Sequence, residues 1–204
     1  MNHATGVIVS ASAGRIAAPS RERLVALASC AVMVAVLTVL SLVAIPLPIS
    51  PVPVTLQTLG VFLAGGLLGP GWGALAVVAY VVVGVAGVPV FAGGEAGLGV
   101  ILGPKGGYVL GFLCAAILVG LGARAAGSDR RGARGVMLLI IGLVTGTAAV
   151  YVCGAGWLML VTGMETRQAV LVGVLPFLPG DVLKIAAAAV VIPGVQRARR
   201  ARRS

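Results

Sequence analysis

Long apolar stretches dominate the chain, separated by short polar, proline-rich or glycine-rich segments. A helix crossing about 30 Å of hydrocarbon needs about 20 apolar residues. Residues 24–44 form the cleanest such stretch and carry no charge. Further candidate helices run over 55–68, 72–88, 107–125, 135–160 and 169–192. The second is short, as expected of a helix that dips through protein instead of spanning lipid. Breaks fall at the proline-rich segment 45–53, the Gly69-Pro70-Gly71 turn, the glycine-rich stretch 89–106, and the polar segments 127–134 and 162–168. The pattern predicts an all-α integral membrane protein of six transmembrane helices. Its single domain, 24–192, follows a polar arm, 1–23, and precedes a basic tail, 193–204.

A cleaved leader has a short apolar core and an A-x-A-like site. The first stretch is longer and ends in Ile45-Pro46-Leu47-Pro48, so an uncleaved first helix is expected. Composition strengthens the membrane reading. Of 204 residues, 59% are hydrophobic and 10% charged, and the mean hydropathy is +1.12. Soluble domains carry roughly 25% charged residues. An ordinary soluble enzyme, a disordered chain and a fibrous one are excluded.

The net charge of +10 would suggest nucleic acid in a soluble protein, but its placement speaks for topology. With a cytoplasmic N-terminus, the inner segments hold Arg15, Arg21, Arg23, Arg124, Arg130, Arg131, Arg134, Arg197, Arg199, Arg200, Arg202 and Arg203. The outer loops hold Lys105 and Arg167, and Lys184 remains inside a helix. The positive-inside rule then requires an even number of spans, with both ends in the cytoplasm.

Asp181 and Lys184 are the sharpest chemical signal. They follow Leu175-Pro176-Phe177-Leu178-Pro179-Gly180 and open a long apolar helix. An ionisable side chain at the bilayer centre costs about 2.5–3.5 kcal/mol on insertion scales. Spacing i, i+3 puts both on one helix face. Two readings stand: a self-satisfied ion pair that aids packing, or a ligand site beside the free N–H groups of a helix start.

The stretch 89–106 brings Gly93, Gly94 and, just beyond it, Gly107 into a segment able to turn tightly or to approach a ligand. Lys105 follows proline and precedes no Ser or Thr, so this is no phosphate-binding loop. The prolines at 46, 48, 51 and 53 predict a stiff extended segment. That segment is either a rigid connector or a lid over an outward-facing pocket, with Gln57 lining it. Small residues recur at four-residue spacing: Ala31 and Ala35; Gly107, Gly111 and Ala115; Gly142 and Gly146. Such rows let helices approach closely in lipid, and Ala31/Ala35 can instead face another subunit. Cys30, Cys114 and Cys153 read as buried filler, and His3 as inert. No catalytic or metal site is expected. The membrane serines lack a G-x-S-x-G context, and no membrane histidine exists to act as base. A scaffold without ligand would leave the Asp181–Lys184 pair unexplained. No internal repeat supports a secondary transporter.

Several strings together resemble the BioY family, the substrate-capturing S components of energy-coupling-factor (ECF) biotin transporters. They are IPLPISPVPVTLQTL at 45–59, the Leu68–Pro70 turn, VPVFAGG at 88–94, LGVILGPKGGYVLGF at 98–112 and LPFLPGDVLK at 175–184. The resemblance covers about 24–192. It implies a six-helix S-component fold in the cell (cytoplasmic) membrane and biotin bound from outside. It also implies a transmembrane T component and a pair of ABC-type ATPases as partners, with biotin as transported ligand, no cofactor and no nucleic acid. The family's ligand-approaching Asp and Lys correspond to Asp181 and Lys184, and its partner-facing small pair to Ala31 and Ala35. Phe91, Tyr108 and Phe177 are expected as walls for biotin's rings. Lys105, where the resemblance leads one to expect Thr, and Glu95, which interrupts the glycine run, retune the loop. An S component for another small vitamin, or a secondary biotin transporter acting alone, are the alternatives.

Overall fold

The computed structural model describes residues 20–127 and 132–201. His3 and Arg15 of the arm, Arg130 and Arg131 of the central loop, and Arg202 and Arg203 of the tail lie outside the described residues.

Helix α1 (Arg21–Leu42) starts at Ser20, whose hydroxyl accepts the Arg23 N–H at 3.4 Å. The prolines that follow do not form a simple connector. Ala44–Leu47 (β1) and Ser50–Thr55 (β2) pair antiparallel, with Ala44 opposite Thr55 and Leu47 opposite Ser50. Proline donates nothing to a ladder, but in a two-stranded ribbon each strand has a free edge where that costs no bond. The extended reading of 45–53 is therefore right in conformation, while the chain doubles back into a hairpin.

α2 (Gln57–Leu68) and α3 (Pro70–Val85) meet at Gly69, whose φ of 84° is open to glycine, and Pro70 occupies the first helical position. A 3-10 turn (Ala92–Gly94) and the five-residue α4 (Leu98–Leu102), both within the expected loop 89–106, lead to α5 (Gly106–Ala125). α6 (Ala133–Thr162) ends at Gly163 in the left-handed region, whose N–H reaches the Met159 carbonyl.

The sixth predicted helix, 169–192, is two helices. α7 (Thr166–Gly173) stops before Pro176, and α8 (Leu178–Ala201) restarts at the Leu178-Pro179-Gly180 corner. A proline disfavours helical geometry in the residue before it, which ends α7. α8 also runs through Pro193, past the expected end at 192. Proline forfeits one helical hydrogen bond, but the extension is held by α2. Gln196 Nε2 donates to the Gly66 carbonyl at 2.6 Å, and Arg199 reaches that of Leu67 at 3.4 Å. These are the carbonyls that the end of α2 leaves without helical partners.

α1, α5, α6 and α8 are long and apolar enough to cross a membrane, and α2 and α3 are shorter apolar helices. α2 compensates by being interior: Val61, Phe62 and Ala64 are fully buried. α5 and α6 pack along the predicted small-residue rows. A Cβ on Gly111 would come within 2.7 Å of the Val150 backbone, and one on Gly107 within 2.2 Å of Trp157. Backbones this close leave no room for side chains, and in lipid such approach supplies the dispersion contact that holds helices together.

The molecule has two unlike ends. The α2–α3 turn, Arg124 at the end of α5, and Arg199 of α8 gather round one concavity. The hairpin, the 92–105 loop and the starts of α5 and α8 meet at the other.

Candidate ligand-binding site

At the second end a largely apolar chamber opens, with about 60 Å³ of room for the centres of water molecules. α8 supplies its polar heart. Asp181 sits in the first turn, its N–H bonded to the Phe177 carbonyl. One carboxylate oxygen accepts from Lys184 Nζ at 2.7 Å, and the other accepts from the Tyr151 hydroxyl of α6. Lys184 Nζ also lies 3.3 Å from Thr58 Oγ1 on α2. Asp181 and Lys184 are 5% and 6% exposed. Two charges this buried survive only when paired and hydrogen-bonded, and these are both.

Gln57 is held on two sides. Its Nε2 donates to the Tyr80 hydroxyl at 2.7 Å, and its Oε1 accepts from Thr55 Oγ1 at 3.1 Å. Tyr80 passes the chain on to the Val90 carbonyl at 2.7 Å, where Ser41 Oγ also lies at 2.6 Å. This relay ties α1, α2 and α3 to the loop that carries Phe91. The Phe91 ring stands edge-on to Tyr80 at 5.6 Å between centroids. Its place exists because position 84 is glycine, where a Cβ would stand 2.3 Å from the ring.

Tyr108 and Phe177 form the facing aromatic wall, their centroids 6.3 Å apart. Tyr108 donates to the Gly173 carbonyl at 2.8 Å, closing the end of α7, and its ring lies over Gly154, where a Cβ would meet it at 2.3 Å. Val52 and Pro53 of the hairpin complete the rim, and Trp157 Nε1 anchors the α4–α5 corner by donating to the Gly103 carbonyl at 3.0 Å.

The structure brings Asp181, Lys184, Gln57, Phe91, Tyr108 and Phe177 to this one chamber. It does not bring the three glycines. Gly93 lines a cleft outside, between hairpin and loop. Gly94 is no part of the lining, and its φ of 82° points to a turn role. Gly107 is taken up by α6, since a Cβ there would stand 2.2 Å from Trp157 and 2.3 Å from the Cys153 carbonyl. Tyr151 and Lys105 line the chamber and were not among the expected residues, nor was Thr58. Thr58 and Tyr151 did carry a signal: each is a hydrogen-bonding group in an apolar helix, where such a group needs a partner. Ala31 and Ala35 lie away from the chamber on the exposed side of α1, opposite Met33 and Leu37. Chemically, the site offers a carboxylate and an ammonium side by side at the floor of an aromatic slot. That suits a compact ring carrying both a donor and an acceptor.

A sequence model described as the BioY family matches residues 10–201. The probable biotin transporter BioY of Pyrococcus horikoshii is 38% identical over 152 residues, covering 74% of this chain and 85% of the relative. The biotin transporter BioY of Thermotoga maritima is 38% identical over 147 residues, covering 72% and 82%. The crystal structure of the S-component for biotin from an ECF-type ABC transporter superposes with a TM-score of 0.78 at 30% identity, over 89% of this chain and 95% of that one. With a family model matching nearly the whole chain and relatives of this identity over most of it, the chain belongs to the BioY family.

Proposed function

We propose that this protein captures biotin as the substrate-specific subunit of an ECF transporter in the cytoplasmic membrane. The observation that carries the reading is the sealed Asp181–Lys184 pair at the floor of an aromatic chamber, in a family whose relatives are named biotin transporters. Biotin's ureido ring has N–H donors beside a carbonyl. Asp181 accepts from an N–H, and Lys184 donates to the carbonyl, 2.7 Å apart as they stand. Phe91, Tyr108 and Phe177 cover the apolar thioether ring, and Gln57 holds the loop that carries Phe91.

Biotin enters from outside, and the arginine-bearing end faces the cytoplasm with both chain termini. The arm 1–23 and the tail 193–204 belong to that side. The small pair Ala31/Ala35 meets the T component, and a pair of ABC-type ATPases supplies the energy. The chain brings to this assembly a binding chamber and no phosphate-binding loop of its own. Biotin uptake into cells lacking their own transporter, with and without a co-expressed energising module, tests the reading. Uptake that needs both the protein and the module is expected. Accumulation driven by an ion gradient without the module would overturn it.

A further inference from the structure

Two lysines and one carboxylate line the chamber: Lys105, Lys184 and Asp181. Lys184 and Asp181 neutralise each other at 2.7 Å, which leaves Lys105 as the one cation, among the described residues of the lining, whose partner lies outside the chamber. Lys105 Nζ lies 2.6 Å from Glu95 Oε1, but Glu95 is no part of the chamber wall; it lines the clefts outside. Lys105 lines those clefts too, one against α4 and one against the hairpin, so it stands at the partition between chamber and exterior. The lysine side chain is 22% exposed and the glutamate 45%. An ion pair with one partner this exposed is weak and exchangeable, whereas the pair on α8 is sealed.

We infer that Lys105 reads the ligand's carboxylate, exchanging Glu95 for it on entry, and so selects monoanions over neutral analogues. The inference rests on the biotin reading. With the ureido ring engaged by Asp181 and Lys184, the valerate carboxylate is left at the opposite end of the molecule, and Lys105 is the remaining cation among the described residues of the wall. Glu95 holds the ammonium at the mouth until a ligand carboxylate displaces it.

The test is calorimetric titration of the purified full chain with biotin and with biotinamide, its neutral primary amide. Wild type is expected to prefer biotin by about tenfold, the scale of a hydrogen bond between charged groups. Lys105→Gln is expected to bring that ratio close to one, and Lys105→Arg to preserve it. Glu95→Gln removes the competitor and is expected to widen the ratio by about threefold, the scale of an exposed ion pair. An unchanged ratio in Lys105→Gln would overturn the inference. Equal losses for both ligands would overturn it too, because Lys105 would then be shaping the loop without reading charge. Wild type that binds neither ligand would remove the biotin reading, and the inference with it.

Discussion

Asp181, Lys184, Tyr151 and Thr58 come from three helices and meet round one carboxylate–ammonium pair. Removing one charge strands the other inside the bundle, at a cost of about 3–5 kcal/mol for a buried pair. Asp181→Asn or Lys184→Met alone should therefore lower the unfolding temperature of the detergent-purified protein. The double variant Asp181→Asn/Lys184→Met should lose less than the sum of the two, and additive losses would mean the groups act independently. Binding should follow a smaller scale. Tyr151→Phe removes one donor to Asp181 without burying a charge, so biotin affinity should fall by about 0.5–1.5 kcal/mol, measured by titration. An unaffected Tyr151→Phe would show that the hydroxyl does not position the carboxylate. The α8 pair is readable in the sequence because charge in an apolar run is rare and costly. Tyr151 is harder to see, since a tyrosine in a membrane helix resembles its apolar neighbours until its partner, thirty positions away, is brought to it.

Elements were legible where hydrophobic length alone decides them, as in α1, α5 and α6. They were less so where tertiary contacts intervene. Pairing made a hairpin of the 45–53 segment, and it is not visible in proline spacing. The stop before Pro176 was masked because 169–192 is apolar on both sides of the break. The continuation through Pro193 depends on Gln196 and Arg199 reaching α2 carbonyls 130 and 132 positions away. The glycines show the same divide. Gly107 reads equally well as loop or helix, and only α6 packed against it shows that it serves helix approach. Gly111→Leu should force α5 and α6 apart. A loss of about 1–3 kcal/mol is expected for overpacking, seen as a lower unfolding temperature. Wild-type stability in this variant would contradict the close contact at Val150.

At the scale of the whole molecule, Arg124 of α5 and Arg199 of α8 lie at one end and the chamber at the other. The gathering of these arginines at one end is legible in the charge pattern, because it depends on composition at the ends of helices and not on any side-chain contact. A reporter fused after Ser204 should be active only as a cytoplasmic reporter, and activity as an external one would break the six-span topology. Ala31→Trp or Ala35→Trp places a ring on the exposed side of α1. Either should abolish uptake by the assembled transporter while leaving biotin binding by the isolated chain intact. Loss of binding would place that face inside the fold instead.

The central claim, that the Asp181–Lys184 chamber holds biotin, is tested most directly by calorimetric titration of purified wild type beside the Asp181→Asn/Lys184→Met double variant, with both confirmed folded by their unfolding temperatures. Saturable binding of one biotin per wild-type chain is expected, with no detectable heat from the double variant. A double variant that titrates like wild type, or a wild type that gives no binding, would contradict it.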